Sequence, residues 1–189
     1  MNILSEMAGA YLRWRHSHGY GVHSPFAYRF VEQAVRPGRG YSFYGYADID
    51  ASLTGFKGSA YGRTRHDARL LLRCAAFLRA GRVLMGPSAP AVFSVAARGA
   101  GARSETWKSR HPAPPKPGDI LVTGPSWRAP EEISRRLAAG TTVIAFDPAP
   151  EARAEMMAFT APGLLLHGRR IIMAIPNPAM AFTTYAMAF

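Results

Sequence analysis

The chain has a single cysteine, Cys74, in 189 residues, which excludes an intramolecular disulfide and a zinc site built on several cysteines. A reducing compartment suits such a protein. Lysine is scarce too, limited to Lys57, Lys108 and Lys116, so arginine carries most of the net charge of +11. The arginines run from Arg13 to Arg170 without massing in one block, which fits a generally basic surface better than a dedicated nucleic-acid patch. No apolar run approaches the ~20 residues that span a bilayer. The first residues, Met1-Asn-Ile-Leu-Ser-Glu-Met7, have neither a basic n-region nor a long apolar h-region. The expectation is a cytoplasmic protein without a membrane partner. No internal repeat is visible, and only residues 111–117 have the Pro-rich, cationic character of a linker.

What is present begins with residues 18–30, His18-Gly-Tyr-Gly-Val-His-Ser-Pro-Phe-Ala-Tyr-Arg-Phe30, a glycine-rich break between two helical patterns. Leu4, Met7, Ala8, Tyr11, Leu12 and Trp14 precede it at helical spacing, and Phe26, Phe30, Val31, Ala34 and Val35 follow. Ser24 then reads as an N-cap and Pro25 as the first-turn proline of a new helix. Beyond an aromatic loop at 41–46 and a short helix at 48–55, the spacing predicts a helix over 64–79, with Thr64 as its cap. Leu70, Leu71, Cys74, Phe77 and Leu78 form its apolar stripe. From residue 82 the pattern changes. Strands are expected at 82–85, 102–107, 119–123 and 141–146, with helices at 90–98, 130–139 and 151–159. This alternation predicts a mostly parallel sheet covered on both faces. Apolar stretches at 164–166, 171–175 and 182–189 have no helix between them and predict an antiparallel finish. Residues 1–62 read as an N-terminal helical segment and 63–189 as the α/β core, together one compact domain.

Residues 21–26, Gly-Val-His-Ser-Pro-Phe, resemble a signature near the N-terminus of a group of bacterial, Bacteroidetes-type, S-adenosylmethionine-dependent class I methyltransferases. Leu71-Leu72-Arg73 is similar to a paired-leucine helix leading into their first strand. Val143-Ile-Ala-Phe-Asp147, followed by Glu155-Met156, looks like their fifth strand and the next helix. The resemblance implies a Rossmann-like methyltransferase fold with an antiparallel C-terminal hairpin. Only residues 108–118 separate Trp107 from Asp119, too few for a further parallel crossover, so the core should be trimmed by about one strand unit.

In such enzymes the first strand ends in a carboxylate and a glycine-rich turn that cradles the cofactor. Aligned on Gly86, Leu84 stands where the carboxylate is usual, and Ser88 and Pro90 stand at later glycine positions. Gly86 and Ser88 are therefore the candidate contacts to S-adenosylmethionine. Glu105, 19 residues beyond Gly86, is the candidate ribose ligand or else an exposed acid without a role. His23 and Ser24 read either as a base and its helper near a substrate or as a carbonyl-bonded histidine and a helix cap. Asp147 is the nearest surviving carboxylate at the rim. Magnesium requires several oxygen ligands, so no metal site is expected. The resemblance implies a methyltransferase-like protein with a degenerate cofactor motif, acting on a small-molecule acceptor if active. The alternative is a non-catalytic basic binding or assembly module with a nucleic-acid or protein partner, including a homodimer.

Overall fold

The apolar runs from residue 82 onward form one seven-stranded sheet in the computed structural model, which describes residues 3–17, 24–37, 43–55, 57–87, 89–107 and 113–189. The strands are β1 (Arg82–Met85), β2 (Arg103–Thr106), β3 (Ile120–Thr123), β4 (Thr142–Phe146), β5 (Gly163–His167), β6 (Ile171–Pro176) and β7 (Thr183–Ala186). Their spatial order is β2-β1-β3-β4-β6-β5-β7. β2, β1, β3 and β4 run parallel, and β6 lies antiparallel between β4 and β5. The fold is α/β and Rossmann-like, with N-terminal helices and an antiparallel C-terminal hairpin. β2 is the outer strand on its side of the sheet. The apolar C-terminal stretch does not extend the hairpin as a meander: β7 passes beyond β6 and pairs in parallel with β5.

Strand residues alternate between two cores. Val83, Met85, Ile120, Val122, Ile144 and Phe146 face the larger one, together with α2 (Pro25–Phe30), α3 (Gly45–Ser52), α4 (Gly58–Phe77) and α5 (Val92–Gly99). Leu84, Leu121, Val143 and Ala145 face the smaller one with α6 (Pro130–Ala138) and α7 (Pro150–Met157). Burial on both faces is why these strands read as continuous apolar runs. A further helix, α1 (Ile3–Ser17), lies beside β7. Among the described residues no helix is long and apolar enough to cross a membrane.

The described part of the N-terminal signature serves capping and packing. The Ser24 hydroxyl accepts the Ala27 N–H at 3.3 Å, with Pro25 in the first turn of α2. Phe26 and Phe30 meet Phe77 of α4 at ring separations of 5.8 and 5.2 Å. α2 continues into a π-helical turn, Val31–Val35, whose last carbonyls lack helical partners. Arg73 satisfies them: its Nε donates to the Ala34 carbonyl at 2.6 Å, while Nη1 bonds the Tyr46 hydroxyl at 2.8 Å. The Leu71-Leu72-Arg73 motif is thus two core side chains and a buried helix anchor. α4 begins at Gly58 rather than at Thr64. Gly58, at φ 68°, turns the chain into the helix, and Lys57 at the N-cap makes no side-chain capping hydrogen bond. Cys74 is fully buried 4.0 Å from Met173 Sδ, and burial pushes its thiol up to about 12, leaving it protonated and unreactive at neutral pH.

Candidate functional site

Strand order reverses between β1 and β3, since β1 leads outward to β2 while β3 leads the other way to β4. Open α/β sheets bind ligands in the crevice outside the strand carboxyl ends at such a point. A cavity of about 220 Å³ lies there. Ala89, Pro90 and Phe93 supply one wall, Thr123 the end of β3 with Gly124 and Pro125 after it, and Phe146 the end of β4 with Asp147 after it; Arg63, Thr64 and Asp67 of α4 complete it.

Asp147 is fixed at this edge by its backbone and its side chain together. Its φ of 46° is a left-handed conformation that aspartate tolerates better than most residues. Its N–H donates to the Arg170 carbonyl at 2.7 Å, and Arg170 Nε and Nη2 donate to its carboxylate at 3.1 Å each. Arg170 Nη2 also reaches Asp67 at 2.8 Å, so one guanidinium bridges the two carboxylates of the cavity. Burial disfavours the Arg170 charge, but the hydrogen bonds and charges of Asp147 and Asp67 outweigh it and raise its pKa. Thr123 is 1% exposed, and its Oγ1 has no hydrogen-bond partner among the described residues. Phe93 and Phe146 pack at 5.0 Å between ring centroids and are both buried.

Of the candidate site residues His23, Ser24, Gly86, Ser88, Glu105 and Asp147, Asp147 is the only one among the described residues that lines this cavity. His23 and Ser88 lie outside the described residues, and Ser24 caps α2. Gly86 donates its N–H to the Val122 carbonyl at 2.8 Å. A Cβ at Gly86 would stand 2.9 Å from that oxygen and 3.3 Å from the Trp127 ring, so the space above this glycine is filled by the protein itself. Trp127 is 4% exposed, donates from Nε1 to the Ala129 carbonyl at 2.7 Å and packs on Trp107 at 5.2 Å. Glu105 pairs with Arg82 at 3.5 Å, and the same guanidinium bonds Asp119 and the Pro114 carbonyl. Leu84 is buried in the smaller core. S-adenosylmethionine would need a carboxylate, an open glycine turn and an available ribose acid here. A buried leucine in place of the carboxylate and a glycine whose Cβ side is filled by Trp127 do not fit it, while Glu105 stays 43% exposed beside Arg82.

Sequence reasoning passed over Asp67, Thr123 and Arg170. Arg170 had no local signal, because its partner Asp67 is 103 residues away. No family model matches the chain, and no curated protein matches it, so comparison with known proteins assigns no family.

Proposed function

We propose that the protein is a methyltransferase-like protein that has given up S-adenosylmethionine chemistry and works by binding a small molecule in the crevice at the strand-order reversal. One observation carries this reading: Trp127 is packed over Gly86, where the resemblance places the cofactor. The Gly-Val-His-Ser-Pro-Phe resemblance and the Rossmann-like sheet support the ancestry. The cavity beside Asp147 supports a retained binding function on the acceptor side. Calorimetric titration with S-adenosylhomocysteine tests it. The expected result is no saturable heat at millimolar ligand, and a dissociation constant in the micromolar range contradicts the proposal.

A second reading, self-association through α1, has its own observation. Met7, Tyr11, Leu12 and Trp14 remain between 47% and 64% exposed on this helix. Apolar groups gathered on one short helix favour a protein surface as partner. Phosphate binding would instead depend on massed cations. Light scattering should give a dimer mass for the native chain and a monomer mass for Leu12→Glu. A monomer at every native concentration removes this reading.

A further inference from the structure

We infer that the cavity beside Asp147 takes a small organic cation, a primary ammonium group on a compact apolar body of the size of benzylamine. This rests on the reading of the crevice as a small-molecule site and goes further by naming the ligand class. The volume sets the scale. An apolar cavity of roughly 150 Å³ holds benzene, so about 220 Å³ accommodates a ring carrying a short side chain.

The lining sets the chemistry. Ala89, Pro90, Phe93, Pro125 and Phe146 are apolar and suit the body of the ligand. Its head meets the carboxylates of Asp67 and Asp147, which share the single guanidinium of Arg170. Two negative charges against one positive leave this trio negative. The two acids are not equivalent. Asp67 is 7% exposed, with Oδ2 bonded by Arg170 and Oδ1 lying 3.2 Å from His66 Nδ1. Asp147 is 44% exposed, and each of its oxygens accepts one Arg170 N–H at 3.1 Å. A carboxylate oxygen has two lone pairs, so Asp147 keeps capacity for a further donor. A protonated amine uses it in a charge-assisted hydrogen bond and balances the excess charge, whereas an anionic ligand would face two like charges. Arg63 is exposed at the rim, and solvent weakens its repulsion of a cation more than it weakens direct contact with Asp147.

The test is an amide NMR titration of the full chain at neutral pH with benzylamine, benzyl alcohol and benzoate. Benzylamine is expected to bind with a sub-millimolar dissociation constant and to shift Asp67, Phe93, Phe146 and Asp147. Benzyl alcohol, a donor of the same shape without the charge, should bind at least about tenfold more weakly, and benzoate should give no saturable shift. Asparagine tolerates the left-handed backbone at position 147 as aspartate does. Asp147→Asn should therefore fold and bring benzylamine and benzyl alcohol within about twofold of each other, since the remaining Asp67–Arg170 pair is neutral. The inference is overturned by the absence of saturable benzylamine shifts at these residues, by equal binding of benzylamine and benzyl alcohol to the native chain, by a preference for benzoate, or by a cation preference that survives Asp147→Asn. If that variant does not fold, the native comparison of the three probes decides alone. Binding of the alcohol or of benzoate instead would leave the crevice a small-molecule site and remove only this ligand class. None of the probes carries an S-adenosyl group, so failure here and failure of the calorimetric test remain separate outcomes.

Discussion

Arg136→Ala should lower the unfolding free energy by about 3 kcal/mol or more, with a matching fall in the urea midpoint. Arg136 is fully buried on α6, and its Nε donates to Glu132 at 2.7 Å. Its Nη2 donates to the Ala113 carbonyl, and its guanidinium sits 4.9 Å from the centre of the Trp107 ring. Arg82, through the Pro114 carbonyl, and Thr141, through the Lys116 carbonyl, hold the same Pro-rich segment. Alanine would empty this space and release the segment at Ala113, while Glu132 would keep its paired hydrogen bonds from Arg135. The loss therefore comes from packing more than from a stranded carboxylate. Burial lowers the pKa of Arg136, a sign that its charge is costly where it sits. Arg136→Met, which restores the apolar stem without the charge, should recover most of the loss. An alanine variant within about 0.5 kcal/mol of the native chain would contradict this account of the segment.

Trp127→Ala should cost about 3 to 5 kcal/mol, the range for removing a large buried aromatic side chain. The indole fills the space over Gly86, packs on Trp107 and satisfies the Ala129 carbonyl. Gly86→Ala should also destabilise, because the new Cβ would press on the Val122 carbonyl, a backbone atom that yields little. The two effects should not add, since the residues touch. Chemical denaturation of both single variants and the double variant measures this. A Trp127→Ala cost below about 1 kcal/mol would mean that the indole is a movable cover rather than part of the core.

Strand and helix positions were largely legible in the sequence, because continuous apolar runs and helical spacing depend on neighbours a few residues apart. The segments around 83, 121 and 144 show this: each is apolar on both faces and each became a parallel strand. The site was legible only at Asp147, which follows directly from the end of a strand. Its other parts depend on contacts that no local pattern reports. Arg170 joins Asp67 to Asp147, and Trp127 covers Gly86 from 41 residues further along the chain. Thr123 has the residue type of an ordinary strand end, and only its burial without a partner marks it out. Gly86 shows the same limit from the other side. A glycine after a strand permits a close approach, but the sequence does not say whether a ligand or a tryptophan makes it.

The crevice is closed on the Cβ side of Gly86 and open beside Asp147. Titrating the isotope-labelled chain with S-adenosylhomocysteine, while following the amides of Met85, Gly86, Glu105 and Thr106, tests it most directly. No saturable shift is expected at these four positions up to millimolar ligand. Saturable shifts at Gly86 and Glu105 together would contradict it and restore a working cofactor site.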